Sequence, residues 1–222
     1  MYRMILPETL PDVVAAEAGA DARTFEADAA AARTRGDYGR VSRWLLGLLG
    51  TTGTAIAVLL VAGAVNMAAT GGDAVMSALS GSVLFLVALV PGAPSVWLLL
   101  SLHRSGRRLA RSAGYWAALP YLEGRRAPRS GDWFAVRFLG FSADLFLRLT
   151  TSALAGLAAL FAASLGVRGM VMGAPSWELT LWLGWAVLFG AVCVGQFGGV
   201  QRIQNGYLAR DPRNASRTTP SR

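Results

Sequence analysis

The sequence predicts an all-α membrane protein. Four transmembrane helices form two hairpins with both termini inside, joined by a cytoplasmic N-terminal helix and by interfacial helices in the central loop. Three observations predict this. Of the 222 residues, 54% are apolar and only 15% charged, against about 45–50% and about 25% in soluble domains. The apolar excess is gathered into four uncharged runs: Trp44 to Gly72, Ala74 to Leu102, the stretch between Arg148 and Arg168, and Leu179 to Gln201. Each is long enough for the roughly 20 residues that a helix needs to cross a bilayer. With both termini inside, the three cytoplasmic segments hold 6, 8 and 5 arginines, Arg148 stands at the inner end of the third span, and only Arg168 falls outside. That asymmetry is the positive-inside pattern.

The chain divides into residues 1–43, a cytoplasmic helical segment; 44–102, the first hairpin; 103–140, a basic interfacial loop; 141–201, the second hairpin; and 202–222, a basic tail. In the first segment Thr9, Leu10 and Pro11 read as a helix start. Ala-rich sequence carries that helix to Arg35, where Gly36 and Asp37 end it. Acids precede arginines along it, which suits the helix dipole. Val14, Ala18, Phe25, Ala29 and Ala32 make a thin apolar stripe of little bulk, so a solvated helix leading into the membrane is expected. The first apolar run begins only at Trp44, so no cleavable signal peptide is expected.

In the first hairpin, spans are expected at Trp44–Asn66 and Ala78–Leu102, joined by a glycine-rich turn. Within the second span stand Pro91, Gly92, Ala93 and Pro94. Each proline removes a backbone donor and crowds the carbonyl four residues earlier, at Val87 and Val90, so a kink or break is expected there. Such a break can expose carbonyls to an ion or substrate, or serve only as a packing kink.

The central loop carries Arg104, Arg107, Arg108, Arg125, Arg126 and Arg129 among Tyr115, Trp116, Leu119, Trp133, Phe134, Phe138 and Phe141. Alternating basic and aromatic clusters suit a segment lying in the headgroup plane, with arginines toward anionic phosphates. Asp132 is placed to cap a helix beginning at Trp133.

In the second hairpin, Asp144 and Arg148 stand one turn apart at the inner mouth of the third span and are expected to neutralise each other there. Small residues recur at helix-packing spacing: Ala191, Gly195 and Gly199 in one row, Ser152 with Gly156 in another. The tail is rich in Ser, Thr, Pro and Asn and is expected to be disordered.

Chemistry is sparse. Cys193 and His103 are each the single residue of their type, which excludes an internal disulfide and a cysteine-based metal cluster. The basic charge is all arginine, so a phosphate-binding GxxxxGK[ST] loop is excluded, and neither HExxH nor GxSxG occurs. No catalytic residue, cofactor or metal site is expected. The net charge of +8 is explained by cytoplasmic loops, and no nucleic acid is expected as a partner. The leading expectation is a non-catalytic accessory or scaffold subunit of a larger inner-membrane complex, docking a membrane-protein partner or a second copy through its small-residue faces. The alternatives are a small oligomeric transporter or channel using the Pro91–Pro94 break, and a protein that engages anionic lipid headgroups.

Overall fold

The computed structural model describes residues 4–127 and 143–210. Every element among them is helical: α1 (Leu10–Glu17), α2 (Thr24–Gly39), α3 (Val41–Thr70), α4 (Ala74–Leu122), α5 (Ala143–Met172) and α6 (Ser176–Tyr207), followed by a 3-10 turn at Leu208–Arg210. Four helical segments, carried by α3 to α6, are long and apolar enough to cross a membrane. They are longer than a bilayer requires. The 49 residues of α4 extend over about 70 Å at ~1.5 Å per residue, against a hydrocarbon core of about 30 Å. Helix α4 is therefore about twice as long as one crossing requires.

The chain folds into two compact units. The apolar unit comprises Leu45–Leu100 and Thr150–Gly195. Its large side chains point outward: Leu49, Leu86, Val90, Leu160, Val187 and Val194 are all exposed, as lipid-facing residues are. Small residues hold its interior. A Cβ on Gly50 would stand 3.0 Å from Leu99, and one on Gly81 2.9 Å from the Ala64 carbonyl. These pairs step in opposite directions along α3 and α4, so the two helices run antiparallel with their backbones close together. Between α5 and α6, a Cβ on Gly156 would meet the Cys193 sulfur at 3.1 Å and one on Gly166 would meet Leu183 at 2.9 Å. Hydrogen bonds cross between helices as well: the Ser152 hydroxyl donates to the Cys193 carbonyl at 2.9 Å, and the Trp185 indole donates to the Ala55 carbonyl at 3.2 Å.

Of the kink or break expected at Pro91, Gly92 and Pro94, the structure shows no interruption of the helix: α4 is helical through these residues. The prolines stand three residues apart, about 60° around the helix. Their lost hydrogen bonds therefore fall on one side, and the rest of the ladder persists. Gly92 lies against α3, where an added Cβ would meet Ala57 at 3.0 Å, and this packing supports the weakened turn.

The second unit comprises Met1–Trp44, Ser101–Leu149 and Gln196–Arg222. Where a single N-terminal helix is expected, the structure has two. Gly19 adopts φ +68°, and the Gly19 and Ala20 amides turn back to Ala16 and Ala15 at 3.2 and 2.9 Å. This paired closure of a helix end favours glycine. Helix α2 then starts at Thr24 and passes through Gly36 and Asp37 to Gly39. The thin apolar stripe lies on a solvated side, with Phe25 83% and Val14 46% exposed, but the helices are not solvated all round. The buried face instead holds Val13 and Tyr38, packed with Leu109, Ala113, Leu145 and Ile203, and Ala27, Ala30 and Ala31, packed with Trp116 and Leu119.

Residues 103–122 are not a loop. They continue α4 as one helix, and its rings enter a protein core. The Trp116 indole donates to the Asp12 carbonyl at 3.0 Å, and the Tyr115 hydroxyl to the Ala20 carbonyl at 3.1 Å. The aromatic run from Trp133 to Phe141, with Arg129 and Asp132, lies outside the described residues.

Candidate functional site

Two arrangements of polar groups stand out in the second unit. The first is a buried ionic knot. Tyr38, in the last turn of α2, is buried. The Arg148 guanidinium lies 4.4 Å from its ring centroid and donates to its backbone carbonyl at 2.6 Å. Burial raises the pKa of the Tyr38 hydroxyl, while the charges of Arg148 and Arg43 pull against that rise. The hydroxyl therefore stays protonated at neutral pH. Any Cβ on Gly199 would overlap this hydroxyl. Arg43 is likewise buried. It donates to the Ser105 hydroxyl at 2.8 Å, to the Leu102 carbonyl at 3.4 Å and to the Met4 carbonyl. The buried Asp37 carboxylate accepts the Leu6 amide at 2.9 Å and pairs with Arg40 at 2.8 Å. Burying charge is tolerated when each group is paired and hydrogen-bonded; Asp37 has its ion pair with Arg40, whereas Arg43 is held by neutral oxygens alone, and burial lowers its pKa to about 10.

The second arrangement is an open cleft of about 650 Å³ whose lining includes Asp28, Arg35, Gly36, Arg40, Val41, Arg126 and Tyr207. Arg126 forms a two-pronged pair with Asp28, at 3.2 and 2.6 Å, and lies 5.6 Å from the Tyr121 ring centroid. Those hydrogen bonds raise its pKa further, so its charge is permanent. Arg35 donates to the Tyr207 hydroxyl at 3.1 Å and stands 5.4 Å from that ring's centroid. Small residues, Ala31, Ala32, Gly36 and Gly39, complete the lining. The arrangement offers several fixed guanidinium groups around a space with small walls, which is chemistry suited to binding an anion.

The residues singled out in the sequence are distributed as follows. Arg104 and Arg107 are exposed on α4. The other described loop arginines, expected to face headgroups, meet carboxylates of the N-terminal segment. Arg108 pairs with Glu17 at 3.5 Å, Arg126 with Asp28, and Arg125 with Asp21 and with the neighbouring Glu123. The Asp144 side chain lies outside the described residues, and the neighbour shown for Arg148 is Tyr38. The row of Ala191, Gly195 and Gly199 does not share one environment, since Ala191 is exposed, Gly195 half-buried and Gly199 buried. Of the described members of the headgroup set, Arg126 alone lines the cleft.

Sequence reasoning missed Tyr38, Arg35, Arg40, Arg43 and Tyr207 as site residues. A signal was present. The N-terminal segment carries more acids than arginines while the central segment carries a large arginine surplus, so the two are electrostatic complements. No known protein family, curated protein or solved structure matches this chain.

Proposed function

We propose that the protein is a non-catalytic accessory or scaffold subunit of a larger membrane complex. It sits in the cell's inner membrane as two hairpins, with its second unit on the cytoplasmic side. The observation that carries this reading is that second unit. Three separate segments of the chain build it around cores of its own, yet it leaves Phe25, Val14 and Leu122 exposed. Exposed apolar side chains mark a partner contact where they act together as one patch, and that is the role this reading gives them. The orientation is supported by charge. Every arginine except Arg168 belongs to the segments of this unit, and translocating so many would oppose the positive-inside rule.

The test is extraction of the tagged full chain in a mild detergent, with identification of whatever co-purifies in stoichiometric amount. A defined partner is expected, and Phe25→Asp is expected to release it without changing the protein's own melting temperature. A homogeneous homo-oligomer with no partner would refute the reading. The transporter alternative started from a kink or break at Pro91–Pro94. With α4 continuous, no observation favours it.

A further inference from the structure

We propose that the cleft lined by Arg35, Arg40 and Arg126 is a binding site for a phosphate ester, the headgroup of an anionic phospholipid being its natural source. The proposal stands apart from the scaffold reading and does not depend on it. The lining carries three arginines and one aspartate; Arg126 is paired with Asp28 and Arg40 with Asp37 behind the lining, so three arginines face two carboxylates and the cleft is cationic by one charge. Guanidinium groups present planar donor forks that match phosphate oxygens two at a time. Arg126 is braced by Asp28 and Tyr121 and Arg35 by Tyr207, so little side-chain freedom remains to be lost on binding. Asp28 does not block an anion, since both of its oxygens are turned onto Arg126. The volume of about 650 Å³ lies within the roughly 300–1,000 Å³ of ordinary ligand sites, and it accommodates an esterified phosphate with its alcohol. The lipid source is favoured by Val41. It lines the cleft, is 62% exposed, and opens α3 just before the apolar run that begins at Trp44. An amphiphile thus meets an exposed apolar side chain of the same unit beside the arginines.

The test uses the full chain in an uncharged detergent, titrated with short-chain phosphatidylglycerol, with inorganic phosphate and with phosphatidylcholine of equal chain length. Melting temperature is the readout. Phosphatidylglycerol is expected to raise it saturably, with an apparent affinity at least about tenfold weaker in Arg35→Gln and in Gly36→Glu. The second variant guards against a folding artefact. A Cβ at Gly36 meets nothing within 4 Å, so a carboxylate can be placed there without disturbing the packing. If inorganic phosphate stabilises as well as the lipid does, the site stands and its ligand is a soluble phosphate. The proposal is overturned if phosphatidylcholine matches phosphatidylglycerol, if neither phosphate-bearing anion stabilises, or if Gly36→Glu responds as the wild type does.

Discussion

Tyr38 and Gly199 are complementary: the ring occupies space that any side chain at the glycine would fill. Gly199→Val is therefore expected to expel the ring and unfold the second unit, seen as loss of a cooperative thermal transition. Tyr38→Ala removes a buried aromatic and is expected to cost about 3–5 kcal/mol. Gly36 is the contrasting case, because it sits inside α2 with open space around it. Gly36→Ala is expected to stabilise by about 0.5–1 kcal/mol, read as a higher melting temperature. The sequence shows both glycines, but not which one is indispensable. Spacing along α6 marks Gly199 as small, whereas the reason for its smallness comes from α2, at the other end of the chain.

Helices α1 and α2 are fastened to each other and to α4 by carboxylate–arginine pairs and by buried rings, and the two kinds of fastening differ in strength. The two-pronged Arg33–Asp12 contact, at 2.7 and 2.9 Å, involves an arginine side chain that is 50% exposed. Asp12→Asn is expected to cost no more than about 1 kcal/mol. Trp116→Ala empties a buried site and is expected to cost about 3–5 kcal/mol, a difference that denaturant unfolding would resolve. The carboxylates also give this region an acid limit. Asp21 is held below its ordinary pKa, first by its hydrogen bond with Glu123 and then by the charge of Arg125. A carboxyl whose folded pKa is depressed stabilises the fold at neutral pH, and that contribution is lost as the pH falls through the folded value. Deuterium uptake around Asp21, corrected for intrinsic exchange, is expected to rise below about pH 4 and to stay flat between pH 6 and 8. The helical character of this region is legible from its alanine content and acid-to-base gradient. The division at Gly19 is not, because Ala18, Gly19 and Ala20 read as a continuation of the same alanine-rich helix until the left-handed φ is seen.

Across the whole molecule, the four spans are the most legible feature, because soluble folds rarely keep an uncharged run of bilayer length. The second unit is the least legible. Each of its three segments reads separately as a solvated helix, an interfacial loop or a tail, and only long-range pairing, such as Trp116 with Asp12, makes them one body. Orientation can be tested at this scale in a Cys193→Ala background. The proposed topology expects Arg107→Cys to react with an impermeant thiol reagent only from the cytoplasmic face, and Gly72→Cys only from the opposite face. The reverse pattern would overturn it.

A body assembled from three stretches of chain also has a timetable. Helices α1 and α2 leave the ribosome first, but Trp116 and Leu119, against which they pack, follow only after two apolar helices have been made. At about 5–20 residues per second, the wait is on the order of 10 s. Val200 and Ile203, which belong to the other core, arrive only after all four apolar helices have been synthesised. During that interval the alanine-rich N-terminus has nothing of its own to fold against. It is then open to chaperones, to proteases and to any partner that reaches it early. Failed insertion of a later span would leave this end without the residues it packs against.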